Sequence, residues 1–108
     1  MQPEPELWER GGARLGLGWN WTWPFATLRA TKSELEVRTP GRRLLVKREQ
    51  LRSLRIARVL FSKGLEIEHS SSELPAPLIF WTMNAGRLEA NLNALGYAVS
   101  HEKLSIGI

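Results

Sequence analysis

The side chains able to do chemistry in this sequence are few. His69 and His101 are its only histidines, cysteine is absent, and all eleven acidic residues are glutamate. Thiol catalysis, zinc sites built on sulfur, and triads or calcium loops that need aspartate are thereby excluded. His69 alternates with Leu65 and Ile67 and reads as a core or rim histidine with a local hydrogen bond, while His101 falls in the C-terminal tail. Ser70, Ser71 and Ser72 follow His69, but neighbours in sequence do not make triad geometry, and a run of three serines is expected to be an exposed linker. Glu34 with Glu36, and Glu66 with Glu68, are spaced to share a strand face. Beside so many arginines they are expected as cross-strand ion-pair partners rather than an acid and base pair. No phosphate-cradling glycine loop with its lysine is present. These residues imply no metal, no cofactor and no catalytic centre, so the expected role is binding.

The charge is more informative than the catalytic inventory. The 108 residues carry a net charge of +4, but eleven basic residues and only three glutamates lie between Arg29 and Lys63, a net of +8. The rest of the chain holds four basic and eight acidic residues. Such a concentrated block is either a solvated surface or an anion-facing one. The candidate anion-binding residues are Arg42, Arg43, Lys47, Arg48, Arg52, Arg55 and Arg58.

Tryptophan is the other excess, at five residues. Trp81, in the apolar run from Leu78, and Trp23 are expected in the core. Trp19 and Trp21 are candidates for an aromatic patch, because each aromatic buries about 150–250 Å² and a small barrel has little room for more. Such a patch packs on an N-terminal flap or a second copy of the chain through the Trp19 to Trp23 segment, dips into a membrane interface, or stacks on bases.

The elements that must position these residues are mostly short strands. Residues 1–12, polar, proline-bearing and ending in Gly11 and Gly12, read as a flexible leader unlike a secretory signal. Residues 13–99 read as one domain and 100–108 as a loose tail. From Leu15 to Phe25 every odd position is large and apolar, the period of extended chain with one buried face, and Pro24 marks a strand start or an edge. Further strands follow at 26–31, 35–38 and 43–47, with a reversal at Thr39, Pro40 and Gly41. A bulge or single helical turn is expected near Arg48 to Leu51. Extended chain resumes through Leu54, Ile56 and Leu60; Ser62 to Gly64 turns it into the Leu65, Ile67, His69 strand, and Leu78 to Thr82 suits a buried strand. Asn84 as N-cap, Ala85, Leu88, Leu92 and Leu95 at spacings of three and four, and Gly96 as terminator predict one amphipathic helix over about 84–95. The longest apolar runs fall far short of the ~20 residues needed to span a bilayer.

Six or seven antiparallel strands followed by one helix resemble a pleckstrin-homology-like (PH-like) barrel. The chain is similar to small bacterial PH-like proteins in its opening, Asn20, Thr22, Trp23, Pro24, Phe25 and Ala26. The similarity continues through the Leu51 and Leu54 step, the Gly64 to His69 strand and the Ile79 to Thr82 strand, and covers residues 20–99. The resemblance implies a mainly β fold of two near-orthogonal sheets with a C-terminal helix at one open corner, and it implies little chemistry. The basic signature of phosphoinositide-binding members is missing at the matching turn, Lys32, Ser33 and Glu34, where only Arg29 and Arg38 are near. The function expected is a non-enzymatic, cytoplasmic interaction module, peripheral at the inner membrane face, whose basic strands meet an anionic lipid surface or an acidic protein. The alternative is a small nucleic-acid-binding barrel that combines those strands with exposed tryptophans.

Overall fold

Alternating apolar residues and frequent turn signals make most of this chain extended, and one helix closes the structure. The computed structural model describes residues 5–59 and 62–101. Among them the strands are β1 (Glu6–Leu15), β2 (Trp19–Thr31), β3 (Glu34–Thr39), β4 (Arg42–Lys47), β5 (Leu51–Val59), β6 (Ser62–His69), β7 (Leu78–Thr82) and β8 (Val99–His101). A 3-10 turn, Arg48–Gln50, separates β4 from β5, and α1 spans Ala85–Ala94. The strands form one curled, half-barrel sheet in the order β4-β3-β2-β1-β7-β6-β5-β8. Every neighbouring pair is antiparallel except β5 with β8.

Among the described residues the fold is therefore mainly β with one helix, as expected, but with eight strands in one continuous sheet rather than six or seven in two. The reason lies in β1, which pairs with β2 on one edge and with β7 on the other and so joins the two meanders. Two glycines permit that double approach. A Cβ at Gly11 would stand 2.0 Å from the Trp81 carbonyl oxygen, and one at Gly12 would stand 2.3 Å from that of Trp21. Residues 6–12, expected as a leader, are thus paired strand. Leu7 alternates inward and its backbone pairs with Ala30. At the other end Ser100 and His101 pair with β5 instead of opening a loose tail, and residues 102–108 lie outside the described residues.

The concave side of the sheet holds the core. Leu15, Leu28, Leu35, Val37, Leu54, Leu65, Ile67, Leu78 and Phe80 are all buried, and Leu88 and Leu92 of α1 pack over them. Each such side chain contributes about 1.5–3 kcal/mol relative to exposure. The caps of α1 form as the sequence predicts. Asn84 Oδ1 accepts from the Arg87 amide at 3.0 Å. At the other end Gly96 takes φ +92°, its amide donates to Asn93 O, and the Tyr97 amide donates to Leu92 O at 3.0 Å. That reciprocal pattern satisfies carbonyls the helix end would otherwise leave bare.

Two local expectations are corrected. Ser62, Lys63 and Gly64 belong to β6 and pair with β5, so the reversal does not lie on them; Leu60 is outside the described residues. The odd positions from Leu15 to Phe25 do not form a buried face either. Leu15 is buried and Trp21 half-buried, but Leu17, Trp19, Trp23 and Phe25 are exposed. Periodicity cannot report what covers a strand. Here β3 pairs only with Thr27–Ala30 of β2, so the Trp19 to Ala26 stretch has β1 beside it and no strand on its other edge among the described residues. Opposite Gly12, residues 22–25 bulge out, because Gly11 pairs with Ala26 and Ala13 with Trp21. Pro24, joined to Trp23 by a cis peptide bond, sits on this open edge, where its missing donor costs no ladder bond.

Candidate functional site

The basic residues singled out from sequence divide between two distant strands. Arg42, Arg43 and Lys47 are on β4, Arg52, Arg55 and Arg58 are on β5, and five strands separate β4 from β5 in the sheet. Three of the seven are engaged within the molecule. Arg43 Nη2 donates to Glu36 at 2.6 Å, and Arg55 pairs with Glu66 directly across the β5–β6 ladder. Arg48 donates to Lys32 O at 2.8 Å and to Gly96 O at 2.6 Å, with its guanidinium 4.4 Å from the centre of the Tyr97 ring. It ties the β4–β5 corner to the C-terminal end of α1. Arg42, Arg52 and Arg58 are exposed, with no ion pair among the described residues.

The convex face of β1 to β4 explains why so much of the positive block is neutralised. Strand register sets Trp8, Arg29, Glu36 and Leu45 side by side. Glu36 is only 1% exposed and accepts from Arg43 and Arg38, with Arg29 Nε at 3.7 Å. Burial alone would raise its carboxyl, but the Arg43 hydrogen bond and the charges of Arg38, Arg43 and Arg29 outweigh that and hold it below its ordinary value. Arg29 also donates to Glu6 and Glu34, and its guanidinium and that of Arg38 lie 6.0 and 5.8 Å from the Trp8 ring centre. Glu34, Glu36 and Glu66 are thus ion-pair partners of neighbouring strands, as their spacing predicts, whereas Glu68 accepts instead from the Ser53 hydroxyl across the β5–β6 ladder at 3.3 Å.

His69, expected as a core or rim histidine with a local hydrogen bond, is held by two such bonds, while His101 and Glu9 meet partners distant in sequence. His69 Nε2 donates to Pro75 O at 2.8 Å while its Nδ1 accepts from the Ser71 amide at 3.2 Å, which fastens the 70–77 loop to the end of β6. His101 Nε2 lies 2.7 Å from Glu89 Oε1. Glu9, buried on the concave side, accepts from Arg87 of α1 at 2.7 Å. That hydrogen bond raises the Arg87 guanidinium above its ordinary value.

What the fold does assemble is an aromatic cleft. The open stretch of β2, the end of β7 and the start of α1 enclose about 870 Å³ between Trp21, Trp23, Trp81 and Met83, with Asn20 and Lys63 at its polar margin. Trp81 Nε1 donates to Asn20 Oδ1 at 3.2 Å, which orients the indole as one wall. The Trp21 and Phe25 rings approach to 6.5 Å at a tilt of 55°. Of the residues lining the cleft, Trp23 is 55% exposed and Met83 77%, and elsewhere on the β1–β2 hairpin Leu17 is 85% exposed, Trp19 62% and Phe25 56%. A smaller pocket of about 340 Å³, bordered by Arg58, Lys63, Glu89 and His101, shares Lys63, Ala85 and Gly86 with the cleft.

Sequence reasoning found Trp19 and Trp21 for this surface but put Trp23 and Trp81 in the core. A signal against the second placement was available. Phe80 and Trp81 are consecutive in a strand and cannot both face inward, and Phe80 is the one fully buried. Met83 gave no sequence signal. Among the described residues, no helix is long and apolar enough to cross a membrane, and no group of three histidine or acidic side chains is placed to hold a metal ion. No protein-family model matches the chain, and no curated protein matches it.

Proposed function

We propose that this chain is a non-enzymatic, PH-like interaction module that attaches reversibly to an anionic membrane surface, docking through its aromatic end rather than through a uniformly basic face. The PH-like part of this reading is supported by seven antiparallel strands followed by a helix laid over the concave side. The docking part is carried by one observation: five large apolar side chains, each more than half exposed, lie between Leu17 and Phe25 and at Met83. Patches of that kind on a small protein mark interaction surfaces, and tryptophan suits the interface between headgroups and acyl chains.

The magnitudes support reversible attachment. Burying half of one tryptophan's surface at about 25 cal/mol per Å² contributes about 2–3 kcal/mol, and each cation near an anionic surface adds about 1 kcal/mol. Two indoles and two cations suffice without any covalent anchor.

Cosedimentation with phosphatidylglycerol-containing and pure phosphatidylcholine vesicles tests the proposal. The wild type is expected to bind the anionic vesicles more tightly, with a blue shift of tryptophan emission, and a Trp19→Ser, Trp23→Ser variant is expected to lose binding while keeping its circular dichroism. Binding to neither vesicle removes the membrane reading. Fluorescence quenching by single-stranded nucleic acid that weakens steeply with salt would replace it with the nucleic-acid-binding alternative.

A further inference from the structure

We infer that the aromatic cleft and the adjoining basic pocket are one site for a single anionic phospholipid, with the headgroup phosphate between Arg58 and Lys63 and the acyl portion against Trp21, Trp23 and Trp81. This rests on the membrane reading and gives that reading a specific lipid-binding site.

Three observations point the same way. The first is adjacency: Lys63, Ala85 and Gly86 border both the aromatic cleft of about 870 Å³ and the basic recess of about 340 Å³, so the two lie side by side along Lys63 and the start of α1. The second is charge. Arg58 and Lys63 have no ion pair among the described residues, whereas Glu89, the carboxylate bordering the recess, is already met by His101 at 2.7 Å. The recess is left cationic beside an aromatic wall, complementary to an amphiphile with an anionic head and an apolar body. The third observation separates a lipid from an extended peptide. A peptide would add to the open edge of β2, but Pro24 supplies no donor there and the bulge at 22–25 breaks the ladder an added strand would need. The indole walls and the two cations do not depend on that ladder.

The site also has a natural internal control. Lys47 and Arg52 flank the Arg48 corner, which is bonded to Gly96 beyond the C-terminus of α1, while the recess lies at the N-terminus of this ten-residue helix, about 15 Å away. A pocket variant, Arg58→Gln with Lys63→Gln, and a corner variant, Lys47→Gln with Arg52→Gln, therefore remove the same charge from opposite ends of the helix.

The experiment compares both variants with the full wild-type chain in phosphatidylglycerol-containing vesicles, and titrates each with short-chain phosphatidylglycerol below its micelle concentration, followed by NMR. The pocket variant is expected to lose about tenfold in affinity for anionic vesicles and the corner variant about twofold or less. The short-chain lipid is expected to shift the indole signals of Trp21, Trp23 and Trp81 and the amides of Gly64 and Gly86 in the wild type, and not in the pocket variant. Equal weakening of the two variants would overturn the inference while leaving membrane attachment standing. If the wild type binds no vesicle but the short-chain lipid still shifts those signals, the site stands and the attachment falls. Absence of the localised shifts overturns the site.

Discussion

The indole of Trp81 lies across the backbone of Gly64, its partner in the β6–β7 ladder. A Cβ built at Gly64 would meet Trp81 Cε3 at 2.8 Å and Cζ3 at 2.9 Å, with Ile79 Cγ2 at 2.7 Å. The glycine is what lets the ring lie flat as a wall of the aromatic cleft. Gly64→Ala must push that ring outward, and such overpacking costs about 1–3 kcal/mol. The expected result is a lower urea midpoint together with altered tryptophan emission, and unchanged emission would show that Trp81 does not rest on this position.

Arg48 and Tyr97 secure the C-terminal end of α1. The Tyr97 hydroxyl donates to the carbonyl oxygen of Thr31 in a buried setting, and Arg48 bonds two further carbonyls. Tyr97→Phe leaves the Thr31 carbonyl without that donor and is expected to destabilise the protein by about 1–2 kcal/mol in urea titration. Arg48→Gln loses the ring contact as well, and amide exchange should show faster opening near Leu92 and Leu95 than at the N-terminal turn of the helix. Uniform exchange along α1 would contradict the assignment.

Glu36 makes stability depend on acid. Its carboxyl is held below the ordinary 4.5, so its contribution is complete above that pH and is lost as pH falls through the lowered folded value. Glu36→Gln is expected to cost about 2–3 kcal/mol at neutral pH, because Arg38 and Arg43 lose a charged acceptor and Arg29 loses a carboxylate at 3.7 Å, while Arg38 and Arg43 still reach water. The difference between variant and wild type should narrow as pH drops below 4.5. A gap that stays constant down to about pH 3 would sink the account.

Trp19 and Trp23 should be dispensable for folding. Both are more than half exposed, and surface changes of this kind usually alter stability by about 0.5 kcal/mol or less. Equal thermal midpoints for Trp19→Ser, Trp23→Ser and wild type are expected, and a large loss would show that these rings belong to the protein's own packing.

Much of this architecture was legible because local chemistry specified it. Asn84 and Gly96 bracket a helix wherever the chain goes afterwards, Pro40 and Gly41 specify a two-residue reversal, and the pairing of Glu34, Glu36 and Glu66 with arginines follows from their spacing on strands. The leader was misread because its alternation, Leu7 then Glu9, buries a carboxylate. That pattern makes sense only once Arg87, far along the chain, is in place to meet it.

The sequence by itself determined a mainly β chain with one capped helix, a positive block in its middle and an unusual number of tryptophans near its start. Which of those charges remain available was decided by tertiary structure. Register alone brought Glu6, Glu34 and Glu36 among Arg29, Arg38 and Arg43, and the sheet order set β4 five strands from β5. The aromatic cleft was decided in the same way. Alternation says which residues share a face of a strand, but whether that face is covered depends on where β3 stops pairing and where α1 lands. Both are long-range contacts that no local pattern encodes.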